Sequence, residues 1–428
     1  MKVVITNFHS AANAGDLAIL QVTIKQIREL FPGAEITVLA NYPNEPALQS
    51  LGVQLVPSMW AQCGVNSAKS VLFQAAQFLL KWVGLLVMKY SSKGVKTSDR
   101  AAGTPLRKLF KTIIDADLVL ACSGNQFYST GRWGWPFPVN LSALWFAAIS
   151  KRRMYILPQS IGPLKRAWER RALKCVYAKA KRVYLRDASS ITLADEIGIP
   201  TVSTKYAPDP AFLLSPEPVN IAREYLQSLG ADLSRPKLGV TVIARMGKAL
   251  DQKVLDRYYQ HLTQVLEKHT KETGAQVIVF TQVSGPSPLE DDRRPSRDLV
   301  RELVARGIPA FSAEGISEPP MLKALYGQMD VFLASRLHSG IFSTSMNVPT
   351  LFLGYLTKTK GMLRSLKIDA PVIDLAELEE DALASALKDI WAKQDLARVS
   401  LRRTIPEIVE ASRLPLQEIQ RDFEGGKA

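Results

Sequence analysis

Short apolar segments alternate with longer amphipathic segments in both halves of this 428-residue chain. Residues 2–7 and 34–40 are predicted strands on either side of a helix over 16–30, and the strands predicted over 238–244 and 276–281 repeat this order. Such alternation is typical of parallel, doubly wound α/β sheets. Because single cores seldom grow past about 250–300 residues, the chain is predicted to form two such domains with a ligand cleft between them.

A proline-rich segment at 214–218, Leu-Ser-Pro-Glu-Pro, has the composition of an interdomain linker. The predicted domains are therefore residues 1–215 and residues 216–397. The remaining residues, 398–428, are predicted to form a helical tail that packs back onto the N-terminal domain.

The net charge of +14 indicates anionic partners such as phosphorylated metabolites, nucleic acid or an acidic membrane surface. The basic residues are spread along the chain without a helix-turn-helix, zinc-finger or RNP-like pattern, which disfavours nucleic acid. Three cysteines without a CxxC pair argue against a disulfide framework or a structural zinc site, and indicate a cytoplasmic protein. The apolar run at the N-terminus is too short for a signal peptide and is interpreted as the first strand.

Residues 70–90 interrupt the alternation with a predominantly apolar helix. A narrow polar stripe at helical spacing is formed by Gln74, Gln77, Lys81 and Gly84. The interior glutamines and lysine argue against a membrane-spanning segment. The segment is predicted to be either a buried helix of the N-terminal domain or a monotopic surface on anionic lipid, at the inner face of the cytoplasmic membrane. The lysines that follow, beginning with Lys89, favour the second interpretation.

Residues 330–349 combine a short apolar strand, a polar turn and a helix. Ser335 is the predicted N-cap, so Arg336 and His338 are expected where the carboxyl end of a strand meets a helix N-terminus. In open α/β sheets ligands bind at this junction, and exposed N–H groups together with the helix dipole favour anions. In an alternative interpretation Arg336 pairs with Asp330 and His338 only satisfies backbone groups.

Other polar residues are also expected at the carboxyl edges of strands. They are Asn13 and Asp16 after the first strand, Gly124 and Asn125 after a strand over 117–121, and Arg245 after the strand over 238–244. A long, polar loop over 282–294 has the character of a mobile active-site loop. Asp187 and Asp209 are predicted to cap helices or to pair with Arg186.

Seven short motifs occur in the order typical of one enzyme family. They are NAGDLAIL at 13–20, SGN at 123–125, QSIGPLK at 159–165, RDASS at 186–190, DPAFLL at 209–214, SRLHSGIF at 335–342 and YLTKTKG at 355–361. Through them the chain resembles the polysaccharide pyruvyl transferase family over most of its length. The turn at Gly124 departs from the family pattern, which is richer in glycine, because Cys122 and Ser123 precede it.

The resemblance implies two Rossmann-like domains in a GT-B-like arrangement. It implies an enzyme that moves the pyruvyl group of phosphoenolpyruvate onto two hydroxyls of a sugar in a polysaccharide or its precursor, forming a ketal and releasing phosphate. The acceptor sugar could be free, nucleotide-linked or lipid-linked, and the basic charge with the helix over 70–90 favours a lipid carrier. This chemistry requires no cofactor and no metal ion.

The donor carries a phosphate and a carboxylate, so cations are expected to hold both. Arg336 and Arg245 are the predicted anion clamp, with Lys358 as a third cation. His338 is the predicted general acid, because a bound dianion would favour the imidazolium that the helix terminus disfavours. The predicted acceptor side, in the N-terminal domain, contains Asn13, Asp16, Gly124 and Asn125, and the general base stays open.

Two other functions fit the same sequence. One is a glycosyltransferase of similar architecture that uses a nucleotide sugar, with Glu314 as the carboxylate for the ribose. The other is a non-catalytic, membrane-associated assembly factor for polysaccharide synthesis, with the apolar helix as its working surface.

Overall fold

The computed structural model describes residues 1–65, 70–90, 104–129, 134–200, 203–244, 251–354 and 357–425. The chain forms two compact units. The first consists of residues 1–11, 19–210 and 413–428, and the second consists of residues 12–18 and 211–412. A short piece near the start of the chain therefore belongs to the second unit.

Eight parallel strands form the sheet of the first unit within the described ranges. They are β1 (Lys2–Phe8), β2 (Glu35–Ala40), β3 (Gln54–Pro57), β4 (Leu118–Ala121), β5 (Gly124–Phe127), β6 (Met154–Ile161), β7 (Arg182–Leu185) and β8 (Thr204–Tyr206). Their order is β3-β2-β1-β4-β6-β7-β8, and β5 pairs with β6 outside this path. The direction of winding thus reverses between β1 and β4.

Helices of the chain up to residue 200 connect these strands. They are α1 (Ala14–Leu30), α2 (Pro46–Gln49), α3 (Met59–Cys63), α4 (Val71–Tyr90), α5 (Pro105–Ile114), α6 (Phe137–Ile149), α7 (Ala167–Tyr177) and α8 (Ala188–Ile197). The first turn of α1 lies in the second unit and the remainder of the helix in the first.

The second unit has a parallel sheet of six strands among the residues described. They are β9 (Lys237–Thr241), β10 (Gln276–Phe280), β11 (Ala310–Ala313), β12 (Val331–Ala334), β13 (Thr350–Gly354) and β14 (Val372–Asp374). The order β11-β10-β9-β12-β13-β14 is the 3-2-1-4-5-6 order of a Rossmann sheet.

The helices of the second half complete this unit and form the tail of the chain. They are α9 (Val219–Ser228), α10 (Gln252–Thr273), α11 (Arg293–Ala305), α12 (Pro319–Tyr326), α13 (Leu337–Ser345), α14 (Thr357–Leu366), α15 (Glu380–Ala392) and α16 (Gln394–Gly425).

Two interior strands, one in each sheet, are buried along their whole length. Every residue of β6 and of β12 is buried. Parallel strands of this kind have continuously apolar sequences, because neither face of the sheet is exposed to solvent. The predicted class, two doubly wound parallel α/β domains, is confirmed.

Helix α4 is not a buried helix, so the first of its two predicted interpretations is wrong. Leu72 is 83% exposed and Leu80 is 68% exposed, whereas Gln74 is buried. In the part of the chain that the structure describes, α4 is also the single helix whose length and apolar composition would suffice to cross a membrane.

A buried ionic network lies at the carboxyl edge of the first sheet. Arg186 forms an ion pair with Asp209, and its Nε donates to the hydroxyl of Ser160 over 2.9 Å. Asp187 caps α8 by accepting from the backbone N–H of Ser190 over 2.8 Å. Burial raises the pKa of Asp187, but hydrogen bonds from neighbouring serines outweigh this effect and hold the pKa below its usual value. The predicted pairing of Asp209 and capping by Asp187 are confirmed.

Replacing Asp209 by Ala is expected to lower the free energy of unfolding by about 3–5 kcal/mol, because the Arg186 guanidinium would stay buried without its counter-charge. The matched control is Lys205→Ala, which removes an ion pair with Glu418 in which the lysine side chain is 44% exposed. Exposed pairs contribute at most about 1 kcal/mol. Urea unfolding of the two variants measures the difference, and equal losses would contradict the assignment.

Candidate functional site

The site is at the point of the second sheet where the winding reverses, between β9 and β12. Strand β12 pairs with β9 in parallel register, from Val331 opposite Leu238 to Ala334 opposite Thr241. Helix α13 begins directly after β12, at Leu337. Ligands of open α/β sheets bind outside the carboxyl ends of the strands at such a reversal.

Buried hydroxyl groups fix the turn between β12 and α13. The backbone N–H of Ser335 donates to the hydroxyl of Thr241 over 3.2 Å, and that hydroxyl also lies 2.8 Å from the hydroxyl of Ser339. The predicted N-cap, Ser335, is wrong by one residue, because Arg336 occupies that position. The Ser335 hydroxyl instead bonds to the hydroxyl of Tyr258 over 2.8 Å.

Arg336 forms a two-pronged ion pair with Asp292. Its Nε donates to Oδ2 over 2.9 Å and its Nη2 to Oδ1 over 2.5 Å. The Asp292 side chain is fully buried and the Arg336 side chain is 11% exposed. Burial raises the pKa of Asp292, while the guanidinium opposes this rise by favouring the carboxylate. The pair therefore holds the fork of Arg336 in one orientation at the carboxyl end of β12.

The alternative partner predicted for Arg336, Asp330, is not the one observed. Asp330 accepts a hydrogen bond from the backbone N–H of Lys237 over 2.7 Å and lies 3.6 Å from the guanidinium of Arg398. Both contacts are at the opposite, amino end of β12, because Asp330 precedes the strand and Arg336 follows it.

The imidazole of His338 packs directly against the backbone of Gly15. A Cβ added to Gly15 would lie 2.0 Å from Nδ1 and 2.1 Å from Cγ of His338. Real Cβ atoms essentially never approach another atom this closely, so the position requires glycine. The first turn of α1 thus contacts the first turn of α13.

Backbone pairing holds the start of α1 in this place. Asn13 forms an antiparallel bridge with Val283, and the N–H of Ser284 donates to the carbonyl of Ala12 over 2.8 Å. The Asn13 side chain accepts from the N–H of Gly15 over 3.0 Å and so caps α1. Two helix N-termini, from α1 and α13, therefore meet at His338.

This arrangement has the properties of an anion site. Helix N-termini present N–H groups and the positive end of the helix dipole, and both favour negative charge. An arginine held by a buried carboxylate adds a planar donor for phosphate or carboxylate. Among the described residues, no group of three or more His, Cys, Asp or Glu side chains is arranged to hold a metal ion.

A sequence model of the polysaccharide pyruvyl transferase family matches residues 13–357, which includes both Gly15 and His338. The chain belongs to this family. It is also 18% identical over 425 residues to the amylovoran biosynthesis protein AmsJ of Erwinia amylovora, with 99% of each chain covered. Family membership assigns the chain to the transferases of polysaccharide biosynthesis.

Solved structures that resemble this chain have a GT-B-like fold of two Rossmann-like domains. The UDP-GlcNAc 2-epimerase from Neisseria meningitidis, bound to UDP-GlcNAc, matches with a TM-score of 0.61 at 10% identity, over 98% of this chain and 100% of that chain. Anabaena Alr3699/HepE in complex with UDP-glucose matches with a TM-score of 0.54 at 13% identity, over 100% and 99% of the two chains. At these identities the similarity shows the fold alone.

The structure brings only part of the predicted site together. Asn13 and Asp16 belong to the second unit with His338, and not to the N-terminal domain where the acceptor side was predicted. Their position at the start of α1 explains the difference, because the backbone of Ala12 and Asn13 pairs with Val283 and Ser284. Their roles toward an acceptor stay predictions.

The remaining predicted residues lie elsewhere or outside the described residues. Gly124 and Asn125 belong to β5 of the first unit, where Gly124 pairs with Gln159 of β6. Arg245 lies outside the described residues. Lys358 is in α14, but its side chain is outside the described part of the structure.

Asp292 is the residue that sequence reasoning missed, and Gly15 was identified only within the NAGDLAIL motif, without its contact with His338. Asp292 is in the loop predicted to be a mobile active-site loop, yet its N–H donates to Val283 over 2.8 Å and its carboxylate accepts from the N–H of Ala244 over 2.7 Å. The Glu-Asp-Asp run at 290–292 shows that this loop is charged, but nothing local in it indicates Arg336 as the partner.

The contact between Gly15 and His338 is open to a direct test. Gly15→Ala is expected to lower the free energy of unfolding by about 1–3 kcal/mol, because the new methyl group overlaps the imidazole. Most of this cost is expected to vanish in a His338→Gly background, which removes Nδ1, Cγ and Cβ, the atoms within 2.6 Å. Urea unfolding of the single and double variants gives the coupling energy.

The control for this cycle is Gly361→Ala, because nothing lies within 4 Å of a Cβ at Gly361. Its effect is expected to be the same in both His338 backgrounds. A Gly15→Ala cost that stays unchanged without the imidazole would contradict the contact.

Proposed function

We propose that this protein transfers the pyruvyl group of phosphoenolpyruvate to two hydroxyls of one sugar, forming a cyclic ketal and releasing phosphate. The single observation that carries the proposal is the meeting of two helix N-termini at His338, beside an arginine oriented by a buried aspartate. Phosphoenolpyruvate bears a phosphate and a carboxylate, which are the groups that such a site favours. Family membership supports the same transfer.

The reaction requires protonation of the methylene carbon of the donor and departure of phosphate as the leaving group. A proton adds to the methylene carbon of the donor, which becomes the methyl group, and a sugar hydroxyl attacks the resulting cationic centre. The C–O bond to phosphate then breaks, and the second hydroxyl closes the ring. The two hydroxyl protons balance the proton gained by carbon and the proton carried by phosphate, so neither water nor an oxidant is consumed.

We assign the donor-binding role to Arg336, with Arg245 and Lys358 as further cations. The guanidinium of Arg336, oriented by Asp292, would donate to one anionic group of the donor. His338 would act as the general acid, because its ring lies at the anion-favouring junction of α1 and α13. A bound dianion would stabilise the imidazolium that this proton transfer requires.

The acceptor side of the reaction is the less defined part of the proposal. Asp16, half-buried in the first turn of α1, follows Gly15 and is the carboxylate that we propose for binding an acceptor hydroxyl. Asn13 already uses its side-chain oxygen to cap α1. Gly124 and Asn125 are retained as acceptor residues of the first unit. No cofactor and no metal ion are required by this mechanism.

A nucleotide-sugar glycosyltransferase is the second candidate, because solved structures with this fold contain UDP-sugars. Its predicted ribose-binding carboxylate, Glu314, lies 3.5 Å from the guanidinium of Arg297 in a partly exposed ion pair. A non-catalytic assembly factor would have no use for a buried Asp292–Arg336 pair at the end of a strand, because isolating two charges from water is costly.

Calorimetric titration with phosphoenolpyruvate is expected to show binding that Arg336→Lys weakens at least tenfold. Lysine keeps the charge opposite Asp292 but loses the planar fork. The matched control is Arg297→Lys, which makes the same change at an arginine whose side chain is 57% exposed. Thermal unfolding of each variant verifies that the fold is intact.

Titration of the same proteins with UDP-glucose separates the two candidate functions. If the protein binds UDP-glucose and does not bind phosphoenolpyruvate, the result would contradict the proposed pyruvyl transfer and favour glycosyl transfer. Equal weakening by both lysine variants would show that Arg336 has no special role in holding the donor.

A further inference from the structure

One face of α4 consists of apolar side chains that point away from the first unit. The exposed members are spaced three, four or seven residues apart or adjacent, and so form one stripe along the helix. They are Leu72 (83% exposed), Leu79 (61%), Leu80 (68%), Val83 (55%), Val87 (60%) and Tyr90 (69%). Contiguous apolar surfaces of this kind are uncommon on proteins that have no partner there.

The opposite face of α4 carries the polar side chains and packs inward. Gln74 is 5% exposed, and its Oε1 accepts from the indole N–H of Trp135 over 2.7 Å. Leu85 is 1% exposed, and a Cβ added to Gly84 would lie 3.2 Å from Leu106 of α5. The helix therefore differs from an ordinary surface helix, because its polar stripe faces the unit together with some apolar side chains, while a second apolar stripe is exposed.

Basic residues occur at the C-terminal end of α4 and in the neighbouring segments. Lys89 is in the last turn of α4, and partial burial together with the charges of Arg152 and Lys151 lowers its pKa. Neither α4 nor α5 contains an acidic residue, while α5 adds Arg107, Lys108 and Lys111. The surroundings of the apolar stripe thus carry positive charge.

Aromatic side chains border the same surface. Trp145 of α6 is 42% exposed, and its ring centroid lies 5.9 Å from that of Trp82. Tyr90 ends the stripe next to Lys89. Tryptophan and tyrosine concentrate where a membrane meets water, because one end of each ring is apolar and the other is polar.

We propose that the outward face of α4 docks on an anionic membrane surface, with the helix lying in the plane of the interface. Apolar side chains would enter the boundary between headgroups and acyl chains, and the cations would meet anionic headgroups. A second copy of this chain fits less well, because α4 and α5 would offer no counter-charge to its basic residues. A spanning helix would break the contact between Gln74 and Trp135.

This inference is independent of the pyruvyl transfer proposed above, since it concerns where the protein binds and not what it does to a sugar. It would nevertheless bring the enzyme to an acceptor carried on a lipid. Lipid binding can therefore succeed or fail whatever donor the enzyme uses.

The test is co-sedimentation of the full chain with vesicles of phosphatidylcholine, with and without phosphatidylglycerol. We expect at least tenfold stronger binding to the vesicles that contain phosphatidylglycerol, and weaker binding as salt is added. The double variant Leu80→Glu with Val83→Glu is expected to lose at least tenfold in binding. The variant Lys151→Ala with Arg152→Ala is expected to lose the preference for phosphatidylglycerol.

The matched control is Leu396→Glu with Val399→Glu on α16, where the two side chains are 73% and 65% exposed. This variant is expected to bind vesicles as the unaltered protein does. Equal loss in both glutamate variants, or no binding to either vesicle, would overturn the proposal. So would light scattering that shows a lipid-free dimer which the α4 variant converts to a monomer, because the occupant would then be a second copy.

Discussion

The buried ion pair between Asp292 and Arg336 is the interaction on which the organisation of the second unit's site depends. An ion pair that is removed from water is stable only when its hydrogen bonds compensate for the lost hydration of both charges. Asp292 meets this condition by accepting from Arg336 after β12 and from the N–H of Ala244 after β9. The pair therefore ties together the carboxyl ends of the two strands between which the winding reverses. The guanidinium at this edge is thus held in one orientation by contacts within the protein.

Local sequence patterns were sufficient for the fold and for one half of the site. The apolar runs that become β9 and β12 are buried on both faces, and such runs predict parallel strands without further information. The turn with Arg336 and His338 can be predicted in the same way, because the strand before it and the helix after it are adjacent in the sequence. Asp292 is 44 residues away in sequence from Arg336, and Gly15 precedes His338 by most of the chain. Contacts between residues so far apart in the sequence produce no periodic pattern of apolar residues from which they could be predicted.

Helix α4 shows a different limit of sequence reasoning. Its polar stripe was recognised, but the usual rule places such a stripe toward water. In the structure the stripe faces inward because Trp135 satisfies Gln74, and because Leu85 on the same side packs against the core. Which side of an amphipathic helix faces the protein depends on what the neighbouring elements can bond, and that information lies in other segments of the chain.

Because residues 12–18 belong to the second unit, that unit is discontinuous in sequence. A fragment that began at Ala211 would contain Arg336, Asp292 and His338, yet it would lack the glycine against which the imidazole packs. The backbone groups of Gln282 and Ser284 would lose their partners at Ala14 and Ala12. Cutting the chain at the boundary near residue 210 therefore separates the turn of Arg336 and His338 from its support. Activity recovered by mixing such fragments would have to come from reassociation of the N-terminal segment.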